Sequence, residues 1–499
     1  MSSDLAQVTI VIPTLGRPSL TALLDSLSAC PGPSVAEIVV VDDRVGGGPL
    51  VAGAVGDAPV RLLRSGGRGP AAARNLGWRS ARTDWIAFLD DDVVVFPDWA
   101  RRLADDLVGL TPDVAGSQGR IEVPMRLGRR PTDWERSTAG LSTARWITAD
   151  MVYRRSVLQR VGGFDERFPR AYREDADLAL RVLRSGARLV PGDRSIVHPV
   201  RPVDRWVSLR TQAGNADDVL MAKLHGRGWR QAAGAPRGRR ARHFAVTASL
   251  LGALVALSLR RRRLVAVATA AYLAGTAELA AARISPGPRD SREVTTMLTT
   301  SAMIPPLAVW HTLRGLVRHR GVQAWRPLPD AVLFDRDGTL IVDVPYNGDP
   351  DLVTPVPGAR SALDRLRSAG LALGVVTNQS GIARGLLSEE DVRAVNDRVE
   401  RLLGPFDNWQ VCPHDLEAGC TCRKPAPGMV RRACAELGVQ PARTVLVGDI
   451  GSDLEAAESA GAAGILVPTG ATLADEVSTA RVRVDDLAGA AEAILGGAW

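Results

Sequence analysis

The chain has 499 residues, too many for one hydrophobic core, so its length predicts two or three domains. The net charge of +7 fits a phosphorylated substrate or an anionic membrane surface, whereas an aromatic content of 4% without a stacking motif argues against a nucleic-acid partner. Residues 1–8 contain no basic run before an apolar core, so we predict no signal peptide and a cytosolic, reducing location.

Residues 1–234 alternate apolar runs with helical patterns. Strands are predicted at 8–14, 37–43, 61–63 and 85–89, and helices at 20–29 and from Gly69 onward. This alternation predicts an α/β domain whose mostly parallel sheet is covered by helices on both faces. Two of the strands end in acids, at Asp42 and at the run Asp90–Asp92. Carboxylates there suit Mg²⁺ or Mn²⁺, which would neutralise a nucleotide-diphosphate leaving group.

The order of motifs in this region resembles the family 2 glycosyltransferases of the GT-A fold. The motifs cover roughly the first 200 residues and are Ile12-Pro13-Thr14, Val41-Asp42-Asp43, Ala73-Arg74-Asn75-Leu76-Gly77, Leu89-Asp90-Asp91-Asp92, Arg154-Arg155-Ser156, Gly162-Gly163-Phe164-Asp165-Glu166 and Arg173-Glu174-Asp175-Ala176-Asp177-Leu178. Their combined order is far more specific than any single motif. After Asp43 the chain departs from the family pattern, since Arg44-Val45 follows instead of Gly-Ser.

The resemblance implies a nucleotide-sugar donor and a separate acceptor. The residues that match functional positions of the family are Asp42 at the base, Arg74 at the nucleotide, Asp90 and Asp92 as the DxD pair with Asp92 on the metal, Asp175 as the base that deprotonates the acceptor, and His198 as a second metal ligand. Structural explanations stay open, because acids also favour first helical turns and histidines also end strands. The acceptor-side residues from Trp134 to Trp146 match no pattern.

Residues 235–324 contain three apolar stretches, at 244–259, 264–282 and 295–313, with Arg260–Arg263 between the first two. Pro305-Pro306 is expected to break the third stretch. Each stretch is close to the roughly 20 residues that a membrane span needs. We favour helices that lie on or dip into the cytoplasmic leaflet, with arginines on anionic lipid. A helical subdomain packed on the transferase is the alternative.

Residues 325–499 begin with a buried strand, 331–334, which leads into Asp335 and Asp337. Two carboxylates this close repel each other unless a cation lies between them. Later strands end in Thr377 and Asp449, and Lys424 lies between these two in sequence. The pattern therefore predicts a site for Mg²⁺ and a phosphate.

The order acid pair, hydroxyl, lysine, acid pair resembles the haloacid-dehalogenase-type phosphatases, over nearly all of this domain, and implies their Rossmann-like fold. The resemblance implies Asp335 as the nucleophile that forms an aspartyl-phosphate and Asp337 as the general acid and base. Thr377 and Lys424 would stabilise the transferring phosphoryl group. Asp335, Asp449 and the Asp337 carbonyl would hold Mg²⁺, supported by Asp453.

One loop of this domain has the composition of a metal site. Cys412, His414, Cys420 and Cys422 form a closed set of four ligands that predicts a structural Zn²⁺, with buried cysteines that bind no metal as the alternative. This loop and the run from Thr377 to Gly385 resemble the D-glycero-D-manno-heptose 1,7-bisphosphate phosphatases. Asn378 and Arg423 are expected to contact the substrate, Arg423 at a second anionic group.

The sequence thus predicts a bifunctional enzyme: a transferase (1–234), a membrane-associating helical linker (235–324) and a phosphatase (325–499). The partners would be a nucleotide-sugar donor, an unknown acceptor, a sugar phosphate and an anionic membrane surface. Two alternatives are a histidinol-phosphate phosphatase, since those enzymes share the zinc loop, and a chain in which one half serves only as a binding module.

Overall fold

The structure is a computed structural model that describes residues 7–30, 35–48, 50, 55–56 and 58–499. The expectation of no signal peptide concerns residues that lie mostly outside the described ones. The chain divides into two compact units, Met1–Trp325 and Arg326–Trp499. The predicted linker therefore lies within the first unit, whereas the predicted start of the phosphatase, residue 325, is one residue from the division.

The first unit contains one mixed sheet. Its strands are β1 (Val8–Thr14), β2 (Val35–Asp42), β3 (Val60–Arg64), β4 (Trp85–Leu89), β5 (Val94–Val95), β6 (Val114–Glu122), β7 (Asp150–Arg154) and β8 (Arg188–Val197). Their spatial order is β3-β2-β1-β4-β7-β6-β8-β5. The first four are parallel, whereas β7 runs antiparallel to β4 and β6, and β5 antiparallel to β8. The predicted parallel sheet is thus one half, and the antiparallel pairs complete the other.

Helices cover both faces of this sheet. They are α1 (Ser19–Ser28), α2 (Pro70–Ser80), α3 (Trp99–Leu107), α4 (Asp133–Ala139), α5 (Arg155–Val161), α6 (Glu174–Arg184), α7 (Val207–Arg210), α8 (Gly214–His225) and α9 (Trp229–Ala232). Successive side chains of β1 enter opposite cores, as alternation along a strand requires. Ile10 and Ile12 pack with α1 and α3, and Val11 packs with α2, α5 and α6. Burial on both faces explains why β1 is a continuous apolar run.

The linker folds as three long helices: α10 (Arg240–Ser258), α11 (Arg262–Ile284) and α12 (Ser291–Arg318). The expected break at Pro305-Pro306 is wrong, because α12 continues through both prolines. Pro306 has no N–H for the carbonyl of Ala302, four residues earlier. Tyr272 of α11 donates its hydroxyl to that carbonyl at 3.1 Å, so a neighbouring helix replaces the missing hydrogen bond.

The second unit contains a fully parallel sheet. Its strands are β9 (Ala331–Phe334), β10 (Ala372–Asn378), β11 (Asn408–Cys412), β12 (Thr444–Gly448) and β13 (Ala463–Leu466), in the order β11-β10-β9-β12-β13. Its helices are α13 (Ala359–Ser368), α14 (Glu389–Leu403), α15 (Gly428–Glu436), α16 (Gly451–Ala460), α17 (Ala474–Thr479) and α18 (Leu487–Leu495). Phe334 pairs with Val375 on β10 and Val447 on β12. This register brings the carboxyl ends of β9, β10 and β12 to one edge.

Candidate active sites

The acids after β4 meet the histidine after β8. Ligand atoms of Asp90, Asp92 and His198 all lie within 4.8 Å of one another. Burial raises the pKa of Asp92, and the Asp90 charge raises it further. Asp92 Oδ2 is buried and accepts no hydrogen bond from any described residue, although Arg201 Nε lies 2.8 Å away. Two repelling carboxylates clustered with a histidine fit a divalent metal, which would offset the repulsion between Asp90 and Asp92.

Asp91, which lies between these two acids in sequence, has different hydrogen-bond and ion-pair partners. Its Oδ2 accepts from the Thr14 hydroxyl at 2.6 Å, and its Oδ1 pairs with Arg17 at 2.9 Å. Asp91 therefore holds the loop after β1, while its neighbours on either side face the metal group. The sequence alone does not separate these roles within a run of three aspartates.

Arg74 is the buried cation behind the acids. It donates to Asp90 at 2.7 Å and to Glu174 at 2.8 Å, and it is only 1% exposed. Burial opposes its charge, but the Asp90 and Glu174 carboxylates raise the pKa of Arg74 overall. Burial and the adjacent Asp175 raise the pKa of Glu174 to about 8. Glu174 was missed as a site residue, although it stands in the same sequence motif as Asp175.

Two cavities meet at Asp90, Asp92 and Arg74. One, of about 690 Å³, is lined by residues at the ends of β1, β2 and β3, including Thr14, Asp43 and Gly67. The other, of about 900 Å³, is lined by Asp175, Trp134, His198 and residues of α10, α11 and α12. Burial raises the pKa of Asp175. This raised pKa suits a carboxylate that must accept a proton.

Asp42 lies outside the lining of both cavities. Arg44 donates to both of its oxygens at 2.8 Å and, as the largest influence, holds the pKa of Asp42 at about 2. Arg64 is a second partner, at 3.3 Å. The unusual Arg44 in this loop thus occupies the carboxylate that was expected at the nucleotide base. The neighbouring Asp43 lines the smaller cavity instead.

In the second unit Lys424 links an acid that follows β9, Asp335, to an acid in the first turn of α16, Asp453. Its Nζ lies 2.6 Å from Asp335 Oδ1, 2.6 Å from Asp453 Oδ1 and 3.0 Å from the carbonyl of Val376. Burial raises the pKa of Asp335 to about 8, against the attraction of Lys424. Burial and the Asp453 charge raise the pKa of Asp449 to about 6.

Ligand oxygens of Asp335, Asp449 and Asp453 lie within 4.8 Å of one another. Gly338, at φ +78°, brings its backbone against Asp449, where a Cβ would meet Oδ2 at 2.3 Å. Three clustered carboxylates, two of them (Asp335 and Asp449) with raised pKa values, fit Mg²⁺, which would favour the charged forms of those two. The side chain of Asp453 thus belongs to the group, whereas that of Asp337 does not.

Asp337 is held by two neighbours that the sequence analysis did not name. Arg336 pairs with Asp337 Oδ2 at 2.9 Å, and Gln379 Nε2 donates to the same oxygen at 2.8 Å. Gln379 Nε2 also lies 2.9 Å from the Thr377 hydroxyl. Gln379 follows Thr377 by two residues, so the two side chains leave the extended chain on one side. This two-residue spacing is the sequence signal that could have identified Gln379 as a site residue.

The residues expected at the substrate have divided roles. Asn378 accepts from the Lys424 N–H at 3.1 Å and donates to the Lys424 carbonyl at 3.2 Å, so its amide positions the lysine loop. Arg423 donates to the His414 carbonyl at 3.2 Å, and its buried Nε has no partner among the described residues. The half-buried Arg423 guanidinium forms no ion pair with a described carboxylate, so its charge is available to an anion.

The four predicted zinc ligands lie together at the end of β11. Five of the distances among the Cys412, Cys420 and Cys422 sulfurs and His414 Nδ1 lie between 3.3 and 3.7 Å. Zn–S bonds of about 2.3 Å in a tetrahedron put sulfurs about 3.8 Å apart, so this set is nearly the size that zinc requires. Burial raises the pKa of Cys412 to about 12, whereas the Arg423 N–H and Cys422 lower that of Cys420 to about 6.

Comparisons with known proteins agree with the two units. The model of the family Glycosyl transferase family 2 matches residues 9–177, and the HAD-hydrolase-like model matches residues 421–490. The D-glycero-beta-D-manno-heptose-1,7-bisphosphate 7-phosphatase of Bordetella bronchiseptica is 39% identical over 173 residues, which cover 33% of this chain and 97% of that protein. The chain belongs to this phosphatase family. The protein of the same name from Pseudomonas aeruginosa is 37% identical and is covered over 97% of its length.

Two solved structures are also similar. The D,D-heptose 1,7-bisphosphate phosphatase from B. bronchiseptica, complexed with magnesium and phosphate, is 35% identical with a TM-score of 0.31, over 33% of this chain and 98% of its own. A mannosyltransferase from Pyrobaculum calidifontis, in complex with GDP-Man and Mn²⁺, is 17% identical with a TM-score of 0.33, over 64% of this chain and 88% of its own. The predicted families, the α/β fold class and the two enzyme classes, glycosyltransferase and phosphatase, are confirmed.

Proposed function

We propose that the chain is a bifunctional enzyme that hydrolyses a sugar phosphate, D-glycero-D-manno-heptose 1,7-bisphosphate, and transfers a sugar from a nucleotide-sugar donor. The main support for the phosphatase activity is the cluster of Asp335, Lys424 and Asp449. This cluster lies in the unit that is 39% identical to the phosphatase of B. bronchiseptica. The transferase half rests on the Asp90, Asp92 and His198 group and on the family match.

In the phosphatase, Asp335 attacks the phosphorus and forms an acyl-phosphate, and the bond to the sugar oxygen breaks. Asp337 gives its proton to that leaving oxygen, then takes a proton from the water that hydrolyses the intermediate. Lys424, fixed by Asp335 and Asp453, stabilises the phosphoryl oxygens. Mg²⁺, held by Asp335, Asp449 and Asp453, would neutralise further negative charge. Zinc would stabilise the loop that leads into Arg423 and Lys424.

The second phosphate of a bisphosphate needs a cation outside the nucleophile pocket. Arg423 directly precedes Lys424 in the chain, and its half-buried guanidinium forms no ion pair with a described carboxylate, so its charge fits that group. Histidinol phosphate, the competing substrate, carries one phosphate and a cationic amine, which Arg423 would repel.

In the transferase, the smaller cavity suits the nucleotide, because it lies at the ends of β1 and β2. The larger cavity, which holds Asp175, suits the acceptor. Asp175 would take the proton of the acceptor hydroxyl, and Asp90, Asp92 and His198 would hold Mg²⁺ or Mn²⁺ against the diphosphate. The alternative, in which one half of the chain serves only as a binding module, gives no physical reason to keep carboxylates that repel each other.

We also propose a cytoplasmic enzyme associated with the membrane. Helices α10 and α11 each contain an 18-residue stretch that is apolar enough to cross a membrane, yet only 17% and 11% of these two stretches are buried. A subdomain packed on the transferase would hide more of that surface. Full-length protein should sediment with anionic liposomes, less so at high salt, and protein lacking residues 236–324 should not.

The decisive test of the phosphatase proposal is a substrate panel on purified full-length protein. Phosphate release from heptose 1,7-bisphosphate should exceed release from histidinol phosphate at least ~10²-fold in kcat/KM, the size of effect that an unpaired or repelled charge produces. The preference should disappear in Arg423→Ala, which removes the proposed second contact. Equal rates on both substrates, or preference for histidinol phosphate, would refute the substrate assignment.

A further inference from the structure

The larger cavity of the first unit has a wall made by the linker helices. His243 of α10, Leu279 and Arg283 of α11 and Ile304 of α12 line the same space as Asp175. This wall is mixed, since His243 and Arg283 are polar and Leu279 and Ile304 are apolar. Leu279 and Ile304 therefore give the cavity an apolar contact made by the linker helices.

The same helices continue away from the cavity as an exposed apolar hairpin. Leu254, Val255, Leu257 and Val267 are between 55% and 67% exposed. Helices of 19 and 23 residues are roughly 28 and 35 Å long, close to the ~30 Å hydrocarbon thickness of a bilayer. An apolar surface of this length is stable in contact with lipid chains rather than water.

Ion pairs attach the base of this hairpin to the transferase. Arg283 of α11 pairs with Asp133 of α4 at 2.8 Å, and Arg136 of α4 donates to the Arg283 carbonyl at 2.7 Å. Arg239 and Arg242 close the hairpin on Glu278 at 3.0 and 2.6 Å. The cavity therefore lies at the end of the hairpin where lipid head groups would be, if the hairpin contacts lipid.

An arginine at this base has no counter-charge. Arg237 is a solvent-exposed residue at the rim of the cavity, and it forms no ion pair or side-chain hydrogen bond with the part of the chain that the structure describes. A guanidinium group in this position complements a phosphate. The apolar contacts in the cavity and the exposed hairpin suit an apolar chain, and the unpaired arginine suits an anionic group. Together they indicate a ligand that has both.

We propose that the acceptor of the transferase is a lipid-linked molecule with an anionic head group, whose head enters the larger cavity beside Asp175 while its chain lies along α10, α11 and α12. This inference rests on the transferase function proposed above. It names the class of the acceptor, a phosphate or diphosphate carried on a long apolar chain. The acceptor hydroxyl or phosphate oxygen would be presented to Asp175 at the membrane surface.

The test uses full-length protein in neutral phosphatidylcholine nanodiscs and three probes measured by calorimetry: farnesyl phosphate, farnesol and inorganic phosphate. Empty nanodiscs give the partition background. Farnesyl phosphate should bind at least ten times more tightly than either fragment, because only it fills both the apolar wall and the Arg237 end. Equal binding of all three probes, or tightest binding of inorganic phosphate, would overturn the proposal.

Variants locate the binding. Ile304→Trp fills the cavity wall and should weaken farnesyl phosphate about tenfold, the loss expected when one large apolar contact is blocked. Leu127→Trp, at an exposed position of the first unit outside α10, α11, α12 and the cavity lining, should bind like wild type. Arg237→Gln should weaken farnesyl phosphate but leave farnesol unchanged. If both tryptophan variants behave alike, the probe is merely in the bilayer and the inference fails.

Nucleotide binding separates this inference from the transferase function. The same nanodiscs should bind UDP, GDP or CDP only with Mn²⁺ or Mg²⁺, and Asp92→Ala should abolish that binding. Absence of all nucleotide binding would refute the transferase function itself. Metal-dependent nucleotide binding without preference for farnesyl phosphate would refute only the lipid-linked acceptor, and retained nucleotide binding shows that Ile304→Trp is folded.

Discussion

At the scale of single residues, the two candidate sites are organised by buried cations that hold carboxylates in place. Arg74 lies between Asp90 and Glu174, and Lys424 lies between Asp335 and Asp453. A buried charge is tolerated only when it is paired and hydrogen-bonded. Removing either cation would leave two acids that repel each other, so both cations are expected to be structural as well as functional.

Asp335→Asn should abolish phosphate release, because an amide cannot form the acyl-phosphate. The loss of kcat should be at least ~10³-fold, as for removal of a group essential to covalent catalysis. Asp351→Asn, an exposed acid of the same unit, is the matched control and should keep full activity. Activity above a few per cent in the Asp335 variant would show that another residue is the nucleophile.

Gln379 should act as a positioning residue, because it touches Asp337 and Thr377 but not the reacting phosphorus. Gln379→Ala should lower kcat about 10–100-fold, the range for loss of a group that orients a functional residue, with little change in KM. The loss should be smaller for p-nitrophenyl phosphate, whose leaving group needs no proton from Asp337. An equal loss on both substrates would indicate a general structural defect.

At the scale of helices, strands and loops, the zinc loop depends most on a ligand for its order. It joins β11 to Arg423 and Lys424 and buries little apart from Cys412 and Cys422. In so short a segment the free energy of metal binding is largely folding energy. Four protein ligands leave no open coordination position, which makes the proposed zinc structural.

Cys420→Ser should therefore reduce zinc content from about one per chain and lower the melting temperature of the phosphatase unit. Its activity should fall mainly through KM, since Arg423 and Lys424 would shift. Cys434→Ser lies outside the metal group and is the matched control for zinc content. Elemental analysis checks the prediction, and zinc-free protein with unchanged stability would contradict it.

Helix α4 should give the first unit a pH-dependent part of its stability. Thr132 and Glu135 form a capping box, and the Arg129 guanidinium holds the pKa of Glu135 at about 2. A carboxyl whose pKa is lower in the folded state stabilises the fold above its unfolded value of 4.5, and this contribution is lost as the pH falls from there toward 2.

Glu135→Gln should lower the melting temperature by about 2–4 °C at pH 7, which corresponds to about 1 kcal/mol in a unit of this size. The difference from wild type should shrink between pH 4.5 and 2, measured by thermal unfolding. Glu122→Gln, at an exposed acid without an ion pair among the described residues, should show no such convergence. If the melting temperatures of Glu135→Gln and wild type differ by the same amount at all pH values, the effect comes from packing and not from the Glu135 charge.

Local sequence patterns were sufficient to predict those site residues that lie at the ends of strands. Asp90, Asp335 and Asp449 follow continuous apolar runs, and parallel strands bring such ends together regardless of the loops between them. Long-range contacts were not predictable in this way. Tyr272 compensates Pro306 from another helix, Arg44 occupies Asp42 through a loop that departs from the family pattern, and no local signal links Ile304 to Asp175.

At the scale of the whole molecule, the residues proposed for the two chemistries lie in different compact units. The transferase acids lie between Asp90 and His198, and the phosphatase acids between Asp335 and Asp453. No ligand atom is shared by the two metal groups in the described part of the chain. Fusion therefore keeps two activities in fixed stoichiometry, and each site should work when the other is disabled.

Asp92→Ala should test this independence. Loss of the carboxylate nearest His198 should remove divalent-metal-dependent nucleotide binding and sugar transfer, because the metal loses a buried ligand with no replacement. Phosphate release from heptose 1,7-bisphosphate should stay within about twofold of wild type, since sites without shared partners act additively. The reciprocal variant, Asp335→Asn, should keep nucleotide binding. Circular dichroism of both variants checks that they are folded, and a parallel fall of both activities in a folded Asp92→Ala protein would show that the units are coupled.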